Sequence, residues 1–202
     1  MAQARTTADI GGLSPVSDRL ALVAIGGNIP SDVGEVSKTI SESLKQFQMV
    51  GLNIRSISGF YKTPCFPAGA GPDYINAAVA LTTQLTARET LDALHKIENS
   101  FGRQRIERWG RRTLDLDLVA YDNAVLPDRK TYDHWCALPA ETQASAAPDQ
   151  LVLPHPRVQD RAFVLIPLAD VAAGWVHPVL KTTISDMLAA QPDDARAEVR
   201  KL

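Results

Sequence analysis

The chain is 202 residues long, enough for one domain with a sizeable core and no disulfide or metal staple. Hydrophobic residues at 45% and charged residues at 22% exclude disorder, a collagen-like repeat and a coiled coil. With 21 Lys and Arg against 23 Asp and Glu, the formal charge of -2 gives no global pull toward nucleic acid or anionic lipid, so any basic site is local.

Cys65 and Cys136 are expected as reduced thiols, because a domain of this size needs no bridge. No apolar run reaches the roughly 18 residues of a spanning helix, and the start of the chain lacks the basic and apolar regions of a secretory signal. A cytoplasmic protein without a membrane partner is expected. Residues 1–18 are small and polar with no period and read as a flexible extension, leaving 19–202 as a single domain.

Leu20 to Ile25 is an apolar run ended by Gly26 and Gly27, as for a buried strand that turns abruptly. From Ser31 onward, Val33, Val36, Ile40, Leu44 and Phe47 recur at helical spacing, predicting a helix that ends before Gly51. Leu52 to Tyr61 alternates through Leu52, Ile54 and Ile57, and Tyr74 to Thr83 is a second strand across a Gly- and Pro-rich connection. Thr86 and Glu89 form a capping box ahead of Leu91, Leu94, Ile97 and Phe101, with Gly102 as the stop. Thr113 to Tyr121 alternates again, with Leu114, Leu116, Leu118 and Ala120 on one face and Thr113, Asp115, Asp117 and Val119 on the other.

The order β-α-β-β-α-β predicts an α+β, ferredoxin-like sandwich, its antiparallel sheet carrying helices on one face and leaving the other available. Residues 122–150, rich in Pro, Asp and Ala, read as an insertion with helix around Tyr132 to Trp135. C-terminal helices are expected over Phe163 to Val171, continuing past Pro167, and over Ser185 to Ala190.

The chemistry concentrates in 103–117. Arg103, Arg105, Arg108, Arg111 and Arg112 fall within ten positions, with Glu107 as the only acid among them. A charge run is usually a solvated face, but this one needs an anionic partner to offset its self-repulsion, and a triphosphate would serve. Asp115 and Asp117 lie two apart on one strand face, about 6 to 7 Å along the backbone, and suit a pair of hard cations about 3.5 to 4 Å apart. A lone Asp-x-Asp is more often the wet side of a strand, and here the adjacent arginines favour the metal.

Trp109 offers a flat surface in the same loop, although an isolated Trp is more often a core or hinge residue. Tyr74 and Asn76 pair a ring with an amide on one strand face, which suits the edge of a heteroaromatic ring or, equally, an exposed strand. His155 stands between Pro154 and Pro156, close to Arg157 and Arg161, within reach of a phosphate. The four histidines lack zinc spacing, and Gly26-Gly27-Asn28 is neither a P-loop nor a dinucleotide fingerprint.

The stretch Arg108-Trp-Gly-Arg-Arg-Thr-Leu-Asp-Leu-Asp117 resembles the RWGPRTLDLD signature of the 6-hydroxymethyl-7,8-dihydropterin pyrophosphokinases of folate biosynthesis. Ala24-Ile-Gly-Gly-Asn28, Tyr61-Lys-Thr-Pro64, Pro72-Asp-Tyr-Ile-Asn-Ala77, Ile97-Glu98 with Gly102-Arg103, and Pro154-His-Pro-Arg157 continuing to Arg161-Ala-Phe163 extend the resemblance over about Leu20 to Val171. It implies transfer of the pyrophosphoryl group of ATP to the pterin hydroxymethyl oxygen, with release of AMP.

Carried over by position, the resemblance gives Asp115 and Asp117 two magnesium ions, and Arg103 and Arg112 the phosphates. His95, Glu98, Arg105, Trp109, Leu118, His155 and Arg161 would line the ATP site. Thr63, Pro64, Phe66, Tyr74, Asn76 and Phe163 would line the pterin pocket. Gly27, Cys65 and Arg111 depart from the family pattern, where serine, proline and proline stand.

A monomer acting on small molecules is expected. A nucleotide-sugar transferase would need a larger nucleotide-binding domain. An RNA-binding module on the open sheet face fits poorly with 6% aromatic residues and no aromatic-rich strand motif.

Overall fold

The computed structural model describes residues 17–65, 71–102, 112–139, 142 and 148–202; the predicted extension lies outside them except for its last two residues. The first strand, β1 (Arg19–Gly27), is central, pairing antiparallel with β4 (Tyr74–Thr83) on one side and β5 (Asp115–Tyr121) on the other. The run predicted from Leu52 to Tyr61 is two short strands, β2 (Asn53–Ile57) and β3 (Tyr61–Thr63), which follow one another along the far edge of β4. Between them Ser58 replaces regular pairing, its backbone N–H donating to Ala78 O at 3.0 Å while its hydroxyl accepts from Ala78 N at 2.8 Å. A sixth strand that the periodicity does not announce, β6 (Arg200–Lys201), pairs with β3.

Helix α1 (Val36–Leu44) begins later than the stripe suggests: Val33 is exposed, whereas Val36, Ile40 and the following Phe47 are buried. Helix α2 (Ala87–Ser100) opens on the predicted capping box, with Thr86 and Glu89 bonding reciprocally, and ends before Gly102, whose φ is +77°. Both helices contribute to the larger core, with Ala21, Val23 and Ile25 of β1, Ala77, Val79 and Leu81 of β4, and Leu116 and Leu118 of β5. The alternation along β5 breaks at one point. A register shift between Leu22 and Val23 of β1 skips a residue of β5, so Val119 and Ala120 both turn to the opposite face. Ile57, one of the apolar residues of the alternating run from Leu52 to Tyr61, is 48% exposed.

The second sheet face is not left available along its whole length. Helix α4 (Ala162–Ala172) covers it, and Leu22, Ala78, Ala80 and Ala120 form a smaller core with Val164, Leu165 and Leu168 and with residues of α5 (Ile184–Ala189). Such a face reads as half-polar in sequence because small alanines, not large side chains, meet the helix. Pro167 lies inside α4 and lacks the N–H that would bond the Phe163 carbonyl. The insertion carries α3 (Arg129–Ala137), capped by Asp128 and longer than the predicted turn of helix, and a short α6 (Asp193–Ala197) precedes β6.

Candidate active site

Beyond the N-terminal end of α4, the second sheet face becomes polar. Across the strands, Asp115 stands opposite Gly26, and Gly26 opposite Asn76; one pair further on, Asp117 stands opposite Ala24. Paired residues point to the same side, so both carboxylates share a face with Asn76 and Tyr74. Gly26 keeps the space between them open: a Cβ there would stand 3.2 Å from the Asn76 side-chain oxygen.

Asn76 in turn donates from Nδ2 to Thr63 Oγ1 at 2.8 Å, and Thr63 lies opposite Tyr74. Pro64 follows Thr63 and is exposed, while Phe66 lies outside the described residues. Cys65, where the family pattern has proline, is bound to Gly71 in both directions: its thiol donates to Gly71 O at 2.9 Å and accepts from Gly71 N at 3.2 Å. Residues 65 and 71 are thereby held together.

Asn28 closes the turn after β1 onto the start of the aspartate strand. Its backbone N–H donates to Arg112 O at 2.9 Å and its Oδ1 accepts from Arg112 N at 2.9 Å. Gly27 makes this approach feasible, since a Cβ would come 2.8 Å from the Thr113 carbonyl. The Asn28 amide also donates to Pro72 O at 3.4 Å, so one side chain ties Arg112 to the connection entering Tyr74. Sequence reasoning placed Gly26-Gly27-Asn28 in a motif without giving Asn28 a job; a short polar residue directly after a strand and double glycine was the available signal.

The Arg112 guanidinium bonds Asp115. Burial opposes its charge, but Asp115, aided by Asp117 and Tyr74, more than offsets this, and its pKa stands above the ordinary value. Burial raises the Tyr74 phenol, with Arg112 opposing and Asp115 reinforcing.

Asp117 shares a small pocket with His155 and Arg161, walled by Ala24, Val119, Val158 and Val164. Three residues from two distant parts of the chain are thus brought together. Burial lowers the Arg161 pKa despite the attraction of Asp117, and its guanidinium carbon lies 5.9 Å from the centre of the Phe163 ring, which is 39% exposed. His155 is fixed to the outer edge of β5, its N–H donating to Val119 O at 2.8 Å. Its Nδ1 accepts from Arg157 N at 3.1 Å, so the neutral ring carries its proton on Nε2. Burial first, then the charges of Arg161 and Arg157, push its pKa down to about 3.

The same strand edge meets α2. Glu98 is fully buried and accepts from Leu116 N at 2.7 Å through Oε1, and His95 stands one turn earlier at intermediate exposure. The Leu118 side chain belongs to the larger core, so its backbone is the part that faces the edge. Arg103, Arg105 and Trp109, with Arg108 and Arg111, lie outside the described residues.

No group of three or more His, Cys, Asp or Glu converges among the described residues. The acidic pair Asp115 and Asp117 offers oxygen ligands only, and such a set fits magnesium, which is commonly held by one or two carboxylates with substrate phosphate and water completing its shell. Among the described residues no helix is long and apolar enough to cross a membrane.

The profile of the family described as 7,8-dihydro-6-hydroxymethylpterin-pyrophosphokinase matches residues 22–173, three quarters of the chain and the whole of this site. The chain belongs to that family. A pyrophosphokinase of Synechocystis, named for 2-amino-4-hydroxy-6-hydroxymethyldihydropteridine, is 36% identical over 169 residues, covering 83% of this chain and 74% of that protein. The enzyme of the same name from Haemophilus influenzae is 30% identical over 158 residues, covering 78% of this chain and 84% of its own. Among solved structures, an HPPK-DHPS in complex with substrates superposes with a TM-score of 0.60 at 13% identity, over 86% of this chain and 43% of that one. The Plasmodium falciparum HPPK-DHPS wild type gives a TM-score of 0.56 at 15% identity, over 86% and 44%. The chain therefore spans less than half of those proteins, and the likeness bears on the fold of the pyrophosphokinase part.

Proposed function

We propose that the protein transfers the pyrophosphoryl group of ATP to the hydroxymethyl oxygen of 6-hydroxymethyl-7,8-dihydropterin, giving the pterin diphosphate and AMP in folate synthesis. The observation that carries this reading is the single row Asp115, Gly26, Asn76. It sets a carboxylate pair and an amide-and-ring pair on one sheet face with only a glycine between them. One half suits a triphosphate with its cations, the other a flat heteroaromatic ring edge.

Pyrophosphoryl transfer asks chiefly for alignment of the two substrates and neutralisation of shifting charge. Asp115 and Asp117 hold magnesium, which when bound screens the phosphates and strengthens the electrophile. Arg112, fixed through its backbone at Asn28, and Arg161, beside Asp117, supply permanent positive charge for the phosphate chain. His155 keeps an Nε2–H donor toward the same pocket. Thr63, Tyr74 and Asn76 orient the pterin, and Phe163 at the start of α4 offers it a second ring. Arg103, Arg105, Trp109 and Phe66 belong to the same assignment through the resemblance alone, with His95, Glu98 and Leu118 along the β5 edge for the nucleotide. Two magnesium ions, a monomer and a cytoplasmic setting complete the proposal. The carboxylate spacing supports the first, and sedimentation and a magnesium titration test the countable ones.

The decisive experiment is chromatography of nucleotide products from ATP and magnesium with and without the pterin. AMP formed only with pterin is the expected result; ADP, or AMP independent of pterin, refutes the assignment. Asp117→Asn should then lower kcat about 10²- to 10³-fold, the effect of removing one transition-state electrostatic contact, with the fold retained. An unchanged rate would remove Asp117 from the site.

A further inference from the structure

The cross-strand row Asp115, Gly26, Asn76 does not end at Asn76. Asn76 stands opposite Tyr61 on β3, and Tyr61 opposite Lys201 on β6, so all five residues share one sheet face. Tyr61 opens the Tyr61-Lys-Thr-Pro64 motif, and nothing in the transfer chemistry itself uses its ring, which is buried at 7% exposure. Strand β3 meets the Asn76 amide with two side chains. Thr63 Oγ1 accepts from Nδ2 at 2.8 Å, which turns Oδ1 toward Gly26 and the open part of the row. Tyr61 stands directly opposite Asn76, a placement in which the two Cβ atoms are about 4.5–5.5 Å apart. The backbone bonds of β3 to β4 and β6 set where the strand runs, but not how the Tyr61 ring turns on its own side-chain bonds. That is set by Asp170 in the last turn of α4, whose Oδ2 accepts from Tyr61 Oη at 2.7 Å and from Gly59 N at 3.0 Å. On the far side, Lys201 Nζ lies 6.0 Å from the centre of the ring, its stem against Gly59, where a Cβ would come 2.8 Å from Lys201 Cε.

We propose that Tyr61 is a positioning residue for the pterin: its ring, locked by Asp170, backs the Asn76 amide on the side away from Gly26 and keeps Oδ1 aimed at the edge of the substrate ring. The inference rests on the pyrophosphokinase reading, and deepens it by adding a residue of β3 and one of α4 to the support of the pterin half. Burial first, then the bond to Asp170 and its charge, push the Tyr61 pKa up to about 12, so the phenol remains a donor at neutral pH. Asp170 is itself exposed, so it can be replaced without opening either core.

The test measures binding of 6-hydroxymethylpterin by calorimetry, with magnesium and a saturating ATP analogue bridged by methylene between the α- and β-phosphorus atoms, to the wild type and to Tyr61→Phe, Asp170→Ala and Asp170→Asn. Tyr61→Phe and Asp170→Ala should each weaken the pterin about fivefold, the usual effect of one lost hydrogen bond. The double variant should lose little more than either single one, because both remove the same bond. Asp170→Asn keeps an oxygen that accepts from both donors and should bind pterin within twofold of wild type. Affinity for the ATP analogue, and kcat at saturating pterin, should stay within twofold in every variant, whereas a general loosening of the fold would lower them too. Unchanged pterin affinity in both single variants overturns the inference, as does an equal loss of analogue affinity or a loss that asparagine fails to repair. A wild type that does not bind the pterin overturns the pyrophosphokinase reading itself, and this inference with it.

Discussion

Lowering the pH from 7.5 to 4.5 should weaken the fold, and His177 should account for a measurable share. Burial alone pushes its pKa down from 6.5 to about 4, with no charged neighbour contributing. A histidine whose folded pKa lies below its unfolded value binds more protons when unfolded, so stability falls as pH drops below about 6.5 and levels off below about 4. The full effect is about 3 kcal/mol, with about 1 kcal/mol already lost at pH 5.5. His177→Asn keeps an acceptor oxygen for Val179 and Leu180 but cannot titrate. Urea unfolding followed by Trp fluorescence at pH 7.5, 6.5, 5.5 and 4.5, on both proteins, isolates the residue. His155, whose pKa is also depressed, contributes equally to both and cancels in the difference. The variant should lose about 1 kcal/mol less than wild type between pH 7.5 and 5.5. Identical slopes would refute the argument that the ring is buried neutral.

Gly27→Ser, which introduces the residue usual in the family, should lower kcat and cost about 1–3 kcal/mol in urea, because its Cβ meets the Thr113 carbonyl at 2.8 Å and must push Arg112 away from Asn28. A stable variant with wild-type kcat would show that the 112–113 backbone yields freely. Glu98→Ala should destabilise by about 2–4 kcal/mol, since it removes a fully buried side chain and the acceptor of Leu116 N. A loss under about 0.5 kcal/mol in the same assay would mean that water replaces the carboxylate.

Thr86 and Glu89 announce the start of α2 and Gly102 its end, because capping is chemistry among neighbours in sequence. The bounds of β4 are equally legible, as Tyr74 follows a Gly-Pro turn and Gln84 starts another. What escaped depends on partners far along the chain. The break between β2 and β3 at Ser58 exists because Ala78 receives that serine, and the shift of Ala120 to the other face follows from a bulge against β1. The cover over the second face looked absent because alanines at 78, 80 and 120 carry little hydrophobic signal, although they let α4 lie close.

In the site, residue types and spacing indicated Asp115, Asp117, Tyr74 and Asn76. That Asp117 meets His155 and Arg161 in one pocket is a property of the chain's path, not of any local pattern. Asn28 was hidden for the same reason: a side chain that bonds the backbone of a distant residue leaves no periodic trace.

The proline in α4 divides that helix into two mechanical parts. Behind it, Asp170 accepts from Tyr61 Oη at 2.7 Å and from Gly59 N at 3.0 Å, anchoring the helix to the far edge of the sheet. Ahead of it, Phe163 has no amide clamping its carbonyl four residues on, and the opening turn is held instead at Arg161 O by Val164 N at 3.0 Å and Leu165 N at 2.9 Å. Arg161 and Phe163 therefore stand on a turn that keeps its bonds to Arg161 O but lacks the one to Phe163 O, so the two side chains, 5.9 Å apart from guanidinium carbon to ring centre, share one short stretch of backbone between the sheet and the rest of the helix.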